Sequence, residues 1–188
     1  MFALEHSKGA YWADFGFYTL FVGGMGVGLP LFSPRDQWTA MGELAASGLV
    51  GWSLVEYLMH RFILHGLEPF KTWHLLHHAR PTALISSPTA LSAMLLAGLV
   101  FAPALLAATT WMAAALTFGV VAGYLAYALC HHGTHHWRAE RQWFKDRKLW
   151  HAMHHRGSGP GQCFGVTSTL WDRVFRTAPA GRSYGQDK

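Results

Sequence analysis

The sequence predicts an all-α integral membrane protein with about four transmembrane helices and a cytoplasmic helical cap. Of its 188 residues, 51% are hydrophobic and only 13% are charged, whereas roughly 25% are charged in an average soluble domain. The apolar residues form long uninterrupted runs, as membrane helices require. Twelve of the 13 histidines lie between His60 and His155, in the polar segments that separate or follow these runs.

The first two apolar runs predict two transmembrane helices. Phe15–Phe32 carries no charged side chain and is long enough to span about 30 Å of hydrocarbon. After a turn, Trp38–Met59 is interrupted only by Glu43 and Glu56. Carboxylates inside a membrane are costly and usually face a partner or a cavity, so a buried helix of a soluble core is the alternative for this second run.

The third apolar run is the strongest membrane signal. Thr89–Cys130 contains 42 residues without a charge, which is about 63 Å of helix or two crossings of about 30 Å. We expect a hairpin whose turn falls between Pro103 and Thr110, with Trp111 at the membrane interface. Four spans put both termini on the same side of the membrane.

The charges give the orientation and exclude one class of partner. Fourteen of the fifteen lysines and arginines lie on the side of the two termini, and only Arg35 lies on the other side. By the positive-inside rule, the termini and the histidines face the cytoplasm. The net charge of +5 comes with no nucleic-acid-binding motif, so we expect no nucleic acid partner. The chain has no linker, so residues 1–188 are predicted to form one membrane-embedded domain, and its Ala- and Gly-rich composition favours a bacterial inner membrane.

Most of the histidines stand at spacings that place them on shared helix faces. Residues at i, i+3 and i+4 lie on one face of a helix, and neutral imidazole binds iron, zinc and copper. Ten imidazoles exceed what one ion accepts, so the sequence predicts two metal ions. A loose metal-buffering tract is the alternative, although its spacing would be irregular. The candidate ligands are His60, His65, His74, His77, His78, His151, His154 and His155, together with one pair from the third cluster, either His131 and His135 or His132 and His136.

Two positions in this pattern are unusual. His60 and His65 are five residues apart and would diverge on a regular helix, so we expect the helix to end or distort near Leu64 and Gly66. His132 and His136 form a second i, i+4 pair on a neighbouring face of the same helix, and they are alternates for the third cluster. His6 stands apart from all clusters.

Four motifs give the sequence a family resemblance. EYLMHRFILH from Glu56 to His65 is followed by WHLLHH, then by HAMHH and FGVTSTLWDRVFRT from Phe164 to Thr177. In this order and spacing they resemble the fatty acid hydroxylase and sterol desaturase superfamily of integral-membrane di-metal oxygenases. Four residues separate the first two histidines, which is typical of the fatty acid 2-hydroxylase type, whereas sterol-type members usually have three.

The resemblance implies a function and its cofactors. It implies an oxidoreductase, a monooxygenase that hydroxylates the acyl chain of a sphingolipid-type or fatty acyl lipid with two iron ions and dioxygen as co-substrate. Zinc can replace iron in purified samples. No catalytic side chain is expected beyond the metal ligands. The ten ligands that the resemblance carries over are His60, His65, His74, His77, His78, His131, His135, His151, His154 and His155. The chain shows no fused haem domain, so we expect a separate electron-donor protein.

Two alternatives remain open. One is a carotenoid or sterol oxygenase of the same fold. The other is a non-enzymatic His-rich membrane protein that binds or transports metal, although a transporter should place its ligands near the middle of the spans.

Other residues are expected to support the site. Glu56 lies one turn before His60 and can orient a ligand through its second ring nitrogen, with a buried helix-to-helix hydrogen bond as the alternative. Asp172 and Asp146 are further candidates for this role. Three aromatic residues near the C-terminus are expected to pack the cap onto the spans: Phe164, Trp171 and Phe175.

Overall fold

A computed structural model describes residues 5–156 and 162–179 of the chain. Within these ranges the regular structure is helical and includes no strand, apart from one isolated bridge between Glu5 and Ile85. The prediction of an all-α fold is confirmed. The helices are α1 Lys8–Phe32, α2 Trp38–Leu58, α3 Phe70–Ala79, α4 Thr89–Leu96, α5 Ala102–Ala107, α6 Thr110–His136, α7 Gln142–Arg156 and α8 Leu170–Val174.

Three helical segments of the described chain are long and apolar enough to cross a membrane. They are Lys8–Phe32, Thr89–Ala107 and Thr110–His136. Large apolar side chains on them face outward, among them Leu106 with 92% of its surface exposed, as lipid contact requires. The fourth expected span, on α2, is not among the three, because its sequence carries Glu43 and Glu56 among several polar residues.

The predicted hairpin is present. α5 ends at Ala107 and α6 begins at Thr110, whose preceding residue Thr109 caps it by accepting a hydrogen bond from the backbone N–H of Met112 at 3.3 Å. The turn lies where the sequence analysis expected it. A π-helical turn over Ala97–Phe101 interrupts the first arm, directly before Pro103, which has no N–H to donate to the preceding turn.

Small residues bring α2 and α6 into close contact. A Cβ atom added at Gly119 of α6 would lie 2.0 Å from the carbonyl oxygen of Ala45, and one at Gly48 of α2 would lie 2.5 Å from the carbonyl oxygen of Leu116. Both distances are shorter than any non-bonded contact allows. Glycine therefore lets the two backbones touch, as in many membrane helix pairs, and this fixes the positions of the histidines at the ends of both helices.

The segment that includes α8 packs onto α2. The ring of Phe175 stacks on Tyr57 at 5.3 Å between centroids, and the indole N–H of Trp171 donates to the hydroxyl of Ser53 at 3.0 Å. The ring of Phe164 lies edge-on to Tyr57 at 6.0 Å. These three aromatic residues pack as the sequence analysis expected, and they hold the chain after α7 against the helix that carries His60.

Candidate metal centre

A π-helical turn brings His60 and His65 together. Residues Met59–Leu64 continue α2 as a π-helix, in which hydrogen bonds join residues five apart. Residues spaced by five then lie above one another, and the two rings are 5.3 Å apart. The prediction of a helix that distorts and ends near Leu64 is confirmed. The physical reason is that a π-turn converts the spacing of five into a shared face.

Ten histidines form two compact groups at this end of the molecule. Within each group, one ligand atom from every residue lies within 4.8 Å of the others. The first group is His60, His65, His74, His78 and His154. The second group is His77, His131, His135, His151 and His155. These are the ten residues that the sequence predicted, divided five and five.

The two HxxHH motifs each serve both groups. α3 gives His74 and His78 to the first group and His77 to the second. α7 gives His154 to the first group and the other two histidines of its motif to the second. One helix face therefore does not correspond to one metal ion, because each face lies between the two groups.

The spacing of the ring nitrogens suits a metal ion. In the first group, the Nε2 atoms of His60 and His74 are 3.0 Å apart, and those of His65 and His154 are also 3.0 Å apart. In the second group, the Nε2 atoms of His151 and His135 are 2.8 Å apart. An ion with bonds of about 2.1 Å at right angles places neighbouring nitrogens about 3.0 Å apart.

Burial keeps these imidazoles neutral, which metal binding requires. Burial lowers the pKa of His65 and of His154 to about 4, and that of His77 to about 3. The charges of neighbouring histidines contribute a smaller part of the same lowering. At neutral pH each ring then has one nitrogen lone pair available for a ligand bond.

His77 supports this interpretation independently. Both of its ring nitrogens are buried and have no hydrogen-bond partner among the described residues. Burying an unpaired polar group costs free energy, and a metal bond to one nitrogen removes part of this cost. The donor set of imidazoles, without a carboxylate in either group, fits iron, zinc or copper.

His132 and His136 lie outside both groups. The Nδ1 atom of His132 is 3.1 Å from the hydroxyl of Tyr11 on α1, and its ring stacks on His136 at 4.4 Å. The structure therefore places the pair His131 and His135 beside the other ligands. His6 is also separate, since its Nε2 atom bonds the carbonyl of Ser86 at 3.1 Å.

Glu56 is buried beside the site, but it makes no hydrogen bond to a histidine among the described residues. Its Oε1 atom accepts from the backbone N–H groups of Val166 and Thr167 at 2.7 and 2.9 Å, and Oε2 accepts from the Thr167 hydroxyl. The prediction that Glu56 bonds a ligand imidazole is wrong, because both of its carboxylate oxygens accept hydrogen bonds from Val166 and Thr167 instead. Asp146 also contacts no ligand and accepts from Gln142.

A cavity of about 210 Å³ borders the histidines. His60, His74, His77 and His131 form one end of it, and the remaining walls come from α1, α2, α3, α6 and the loop before α4. Asp14 of α1 lines this cavity and accepts a hydrogen bond from the Thr89 hydroxyl at 2.6 Å. The cavity therefore joins the candidate metal centre to the candidate membrane helices.

The sequence matches a known family over most of its length. The model of the family described as fatty acid hydroxylase matches residues 45–177, a range that includes all ten histidines of the two groups. The chain belongs to the fatty acid hydroxylase family. The membrane character of the three apolar helices agrees with this membership.

Two relatives are described more specifically, as hydroxylases of fatty acyl chains. The chain is 36% identical over 151 residues to dihydroceramide fatty acyl 2-hydroxylase FAH2 of Arabidopsis thaliana, a match that covers 74% of this chain and 62% of that protein. It is 34% identical to the ceramide very long chain fatty acid hydroxylase scs7 of Schizosaccharomyces pombe, covering 69% of this chain and 40% of the relative. The chain thus spans less than two thirds of the length of these fatty acid hydroxylases.

A solved structure shares the fold. Full-length scs7p, in which only the hydroxylase domain is visible, superposes with a TM-score of 0.73 at 29% sequence identity. The match covers 95% of this chain and 70% of that one. The helices described above therefore form a fold already observed in the fatty acid hydroxylase family.

Sequence reasoning did not identify the partners of two histidines. The Nδ1 atom of His60 donates to the carbonyl of Phe164 at 2.6 Å, and that of His154 donates to the carbonyl of Gln162 at 2.9 Å. These acceptors are backbone atoms, so no pattern of side chains in the sequence predicts them. Asp14 was also missed, although a carboxylate at the start of an apolar helix is a signal that could have identified it.

Proposed function

We propose that this fatty acid hydroxylase is a membrane monooxygenase that hydroxylates the acyl chain of a lipid at two metal ions. Each ion is held by one of the two groups of five histidines. The observation that carries the proposal is the position of both groups at the end of a cavity whose other walls come largely from apolar helices. A lipid chain that fills this cavity has its carbon atoms beside the metal centre.

The reaction calls for iron. Inserting oxygen into an unactivated C–H bond requires a redox-active metal that activates dioxygen, and two bound iron ions supply this chemistry. The balance is one C–H bond, one dioxygen, two electrons and two protons, giving one C–OH group and one water. Zinc has no redox chemistry, so a zinc-loaded sample is inactive. The two electrons come from a separate donor protein.

The chain's own residues prepare the site for this reaction. Buried neutral imidazoles hold the ions without adding negative charge, and the carbonyls of Gln162 and Phe164 fix the rings of His154 and His60. The aromatic residues Phe15, Trp52 and Trp73 line the cavity and limit its access to water. A dry site protects a reactive centre from side reactions.

A second cavity extends the space for an acyl chain. It has a volume of about 310 Å³ and is lined by apolar side chains of α1, α4 and α6 and of the π-helical turn after α4. Tyr18 lines this second cavity, and the centroid of its ring is 4.8 Å from that of Tyr124, which lines the first cavity. The lipid's distal carbons occupy this second cavity, and its polar end lies near Asp14, Ser86 and Ser87 in the first cavity.

The membrane arrangement is the finer part of the proposal. Four spans, with α2 as the fourth, hold one domain over residues 1–188, with the histidines and both termini in the cytoplasm. α2 crosses the membrane despite Glu56, because the hydrogen bonds from Val166 and Thr167 satisfy this carboxylate. The location is a bacterial inner membrane.

The proposed substrate class is inferred from the substrates that the relatives' names give. A sphingolipid-type or fatty acyl chain is hydroxylated, and the 2-position is the expected carbon because two relatives of Arabidopsis thaliana, 36% and 32% identical to this chain, are dihydroceramide fatty acyl 2-hydroxylases. The four residues between His60 and His65 also favour this substrate class over sterols.

Lipid mass spectrometry tests the proposal. Total lipids from cells that express the wild-type chain are compared with those from cells expressing His77→Ala, which inserts equally but lacks one ligand. The expected difference is an acyl chain heavier by one oxygen atom, with the hydroxyl located by fragmentation. An oxidised sterol or carotenoid would replace the acyl substrate, and unchanged lipids with altered cell metal content would favour metal transport.

A further inference from the structure

The two histidine groups are held in different ways by the rest of the protein. In the first group, His60 and His154 each donate from Nδ1 to a backbone carbonyl, at 2.6 and 2.9 Å. A carbonyl oxygen only accepts, so the hydrogen of each ring stays on Nδ1 and the lone pair stays on Nε2. Both rings are therefore fixed in orientation and tautomer before a metal ion arrives.

One short segment supplies both carbonyls. Gln162 and Phe164 are separated only by Cys163, which is fully buried and has a φ of 61°. This left-handed conformation costs free energy for any residue other than glycine. The surrounding structure must therefore hold the segment in this shape, with both carbonyl oxygens turned toward the first group.

Asp172 is the residue that holds the segment. Its Oδ1 atom accepts from the backbone N–H of Phe164 at 2.8 Å, and Oδ2 accepts from the N–H of Gly165 at 2.8 Å. The indole N–H of Trp150 and the hydroxyl of Thr177 donate to the same carboxylate at 3.1 and 2.7 Å. Four donors converge on one carboxylate that has no exposed surface.

The segment has no room to shift at this point. A Cβ atom on Gly165 would lie 1.9 Å from the carbonyl oxygen of Ser168 and 2.8 Å from Oδ2 of Asp172. On the other side, Glu56 accepts from the next two N–H groups, those of Val166 and Thr167. Two buried carboxylates thus fix four consecutive backbone N–H groups.

The described part of the chain gives the second group no matching support. The Nδ1 atoms of its members His77 and His151 are buried without a hydrogen-bond partner among the residues that the structure describes. Removing the partner that orients a metal-ligating histidine typically lowers metal affinity 10- to 100-fold. The first group should therefore hold its ion more tightly than the second.

We propose that Asp172 is a positioning residue for the first metal ion alone. It acts through the segment from Gln162 to Gly165, which it holds against His60 and His154, and it makes the first group the high-affinity site. The inference rests on the proposed two-metal centre, and it adds an order of metal binding. The first group binds its metal ion before the second group does and releases it after.

Metal release to a chelator tests this inference without any lipid or turnover. The wild-type protein in detergent, loaded with two ions, should release one ion quickly and one slowly. Asp172→Asn keeps the size of the side chain but turns an amide N–H₂ toward N–H donors. It should speed the slow release 10- to 100-fold and leave the fast release unchanged. Asp146→Asn is the matched control and should change neither, because Asp146 is half-buried on α7 and accepts from Gln142 of the same helix.

Two ligand variants assign the effect to a group. His135→Ala removes a ligand of the second group, so the remaining ion sits in the first group, and adding Asp172→Asn should accelerate its release. His65→Ala leaves the ion of the second group, and adding Asp172→Asn should have no effect. Thr177→Val removes one donor to Asp172 and should give a smaller acceleration in the same direction, which covers the case that Asp172→Asn does not fold.

The outcomes separate this inference from the function on which it rests. A wild-type protein that binds fewer than two ions would overturn the proposed metal centre. Two bound ions with unchanged slow release in both Asp172→Asn and Thr177→Val would overturn only the role of Asp172. Equal acceleration of both releases would also overturn it, because the segment would then support the whole cap.

Discussion

The rings of His78 and His155 stack at 4.2 Å with an interplanar angle of 12°. His78 belongs to the first histidine group and His155 to the second, so this pair is where the two candidate metal sites touch. The two candidate sites are therefore in direct contact through a stacked pair of rings. Two sites in such contact suit a reaction in which two metal ions share the electrons of one dioxygen molecule.

Loss of one ligand from either group should stop the reaction. His154→Ala removes a ligand of the first group and His77→Ala one of the second, and each should lower hydroxylation at least about 100-fold. Both variants should still insert into the membrane, because apolar helices drive insertion. Product formation and metal content per chain are the measurements.

The two variants should each retain about one metal ion per chain. Wild-type turnover in either variant would contradict the ligand assignment. Loss of both ions in each variant would show that the two groups fold as one unit.

The third His cluster offers a test of register. His131→Ala and His135→Ala should abolish activity and remove one metal ion, since both residues belong to the second group. His132→Ala and His136→Ala should cause a milder loss, because His132 instead contacts Tyr11 on α1. Activity and metal content of the four single variants are compared at equal expression, and the reverse pattern would contradict the structure.

The contact between α2 and α6 should be intolerant of added volume. Gly119→Ala forces a methyl group against the carbonyl of Ala45 and should destabilise the protein by about 1–3 kcal/mol, as overpacking does. Gly98→Ala is the control, since an added Cβ there meets nothing within 4 Å. Thermal unfolding in detergent measures both, and equal midpoints for the two variants would contradict the packing described here.

The sequence was sufficient to predict the helical class and the hairpin, because both depend on local periodicity or run length. Periodicity also predicted the histidine clusters, but the choice of His131 and His135 over His132 and His136 came from the family resemblance. The membrane span over Trp38–Met59 was harder to predict. A carboxylate buried in a span needs a hydrogen-bond partner, and here that partner lies far away in the sequence. Glu56 illustrates this: its partners Val166 and Thr167 donate from the backbone, and no side-chain pattern predicts such bonds. The division of each HxxHH motif between two groups also depends on how α3 and α7 are packed.

The metal-free protein should lose stability on acidification. Burial lowers the pKa of His65, His154 and His155 to about 4 in the folded state, against about 6.5 when unfolded. Between these values the unfolded chain binds more protons than the folded one, so stability falls as pH falls. Unfolding midpoints measured from pH 8 to 4 should decline below about pH 6.5.

Metal should change this behaviour. Bound ions compete with protons for the same nitrogens, so the metal-loaded protein should keep its unfolding midpoint to a lower pH and then lose metal and stability together. A metal-free midpoint that does not vary with pH would contradict the burial of neutral imidazoles.

We expect the ten histidines to hold two metal ions at which oxygen from dioxygen is inserted into a lipid acyl chain. The most direct measurement supplies isotope-labelled dioxygen and a chemical reductant to the iron-loaded protein in lipid, with metal content determined on the same sample. We expect about two iron ions per chain and one labelled oxygen atom on the acyl chain. A sample with two ions that yields no hydroxylated lipid, or a product without the label, would contradict this account.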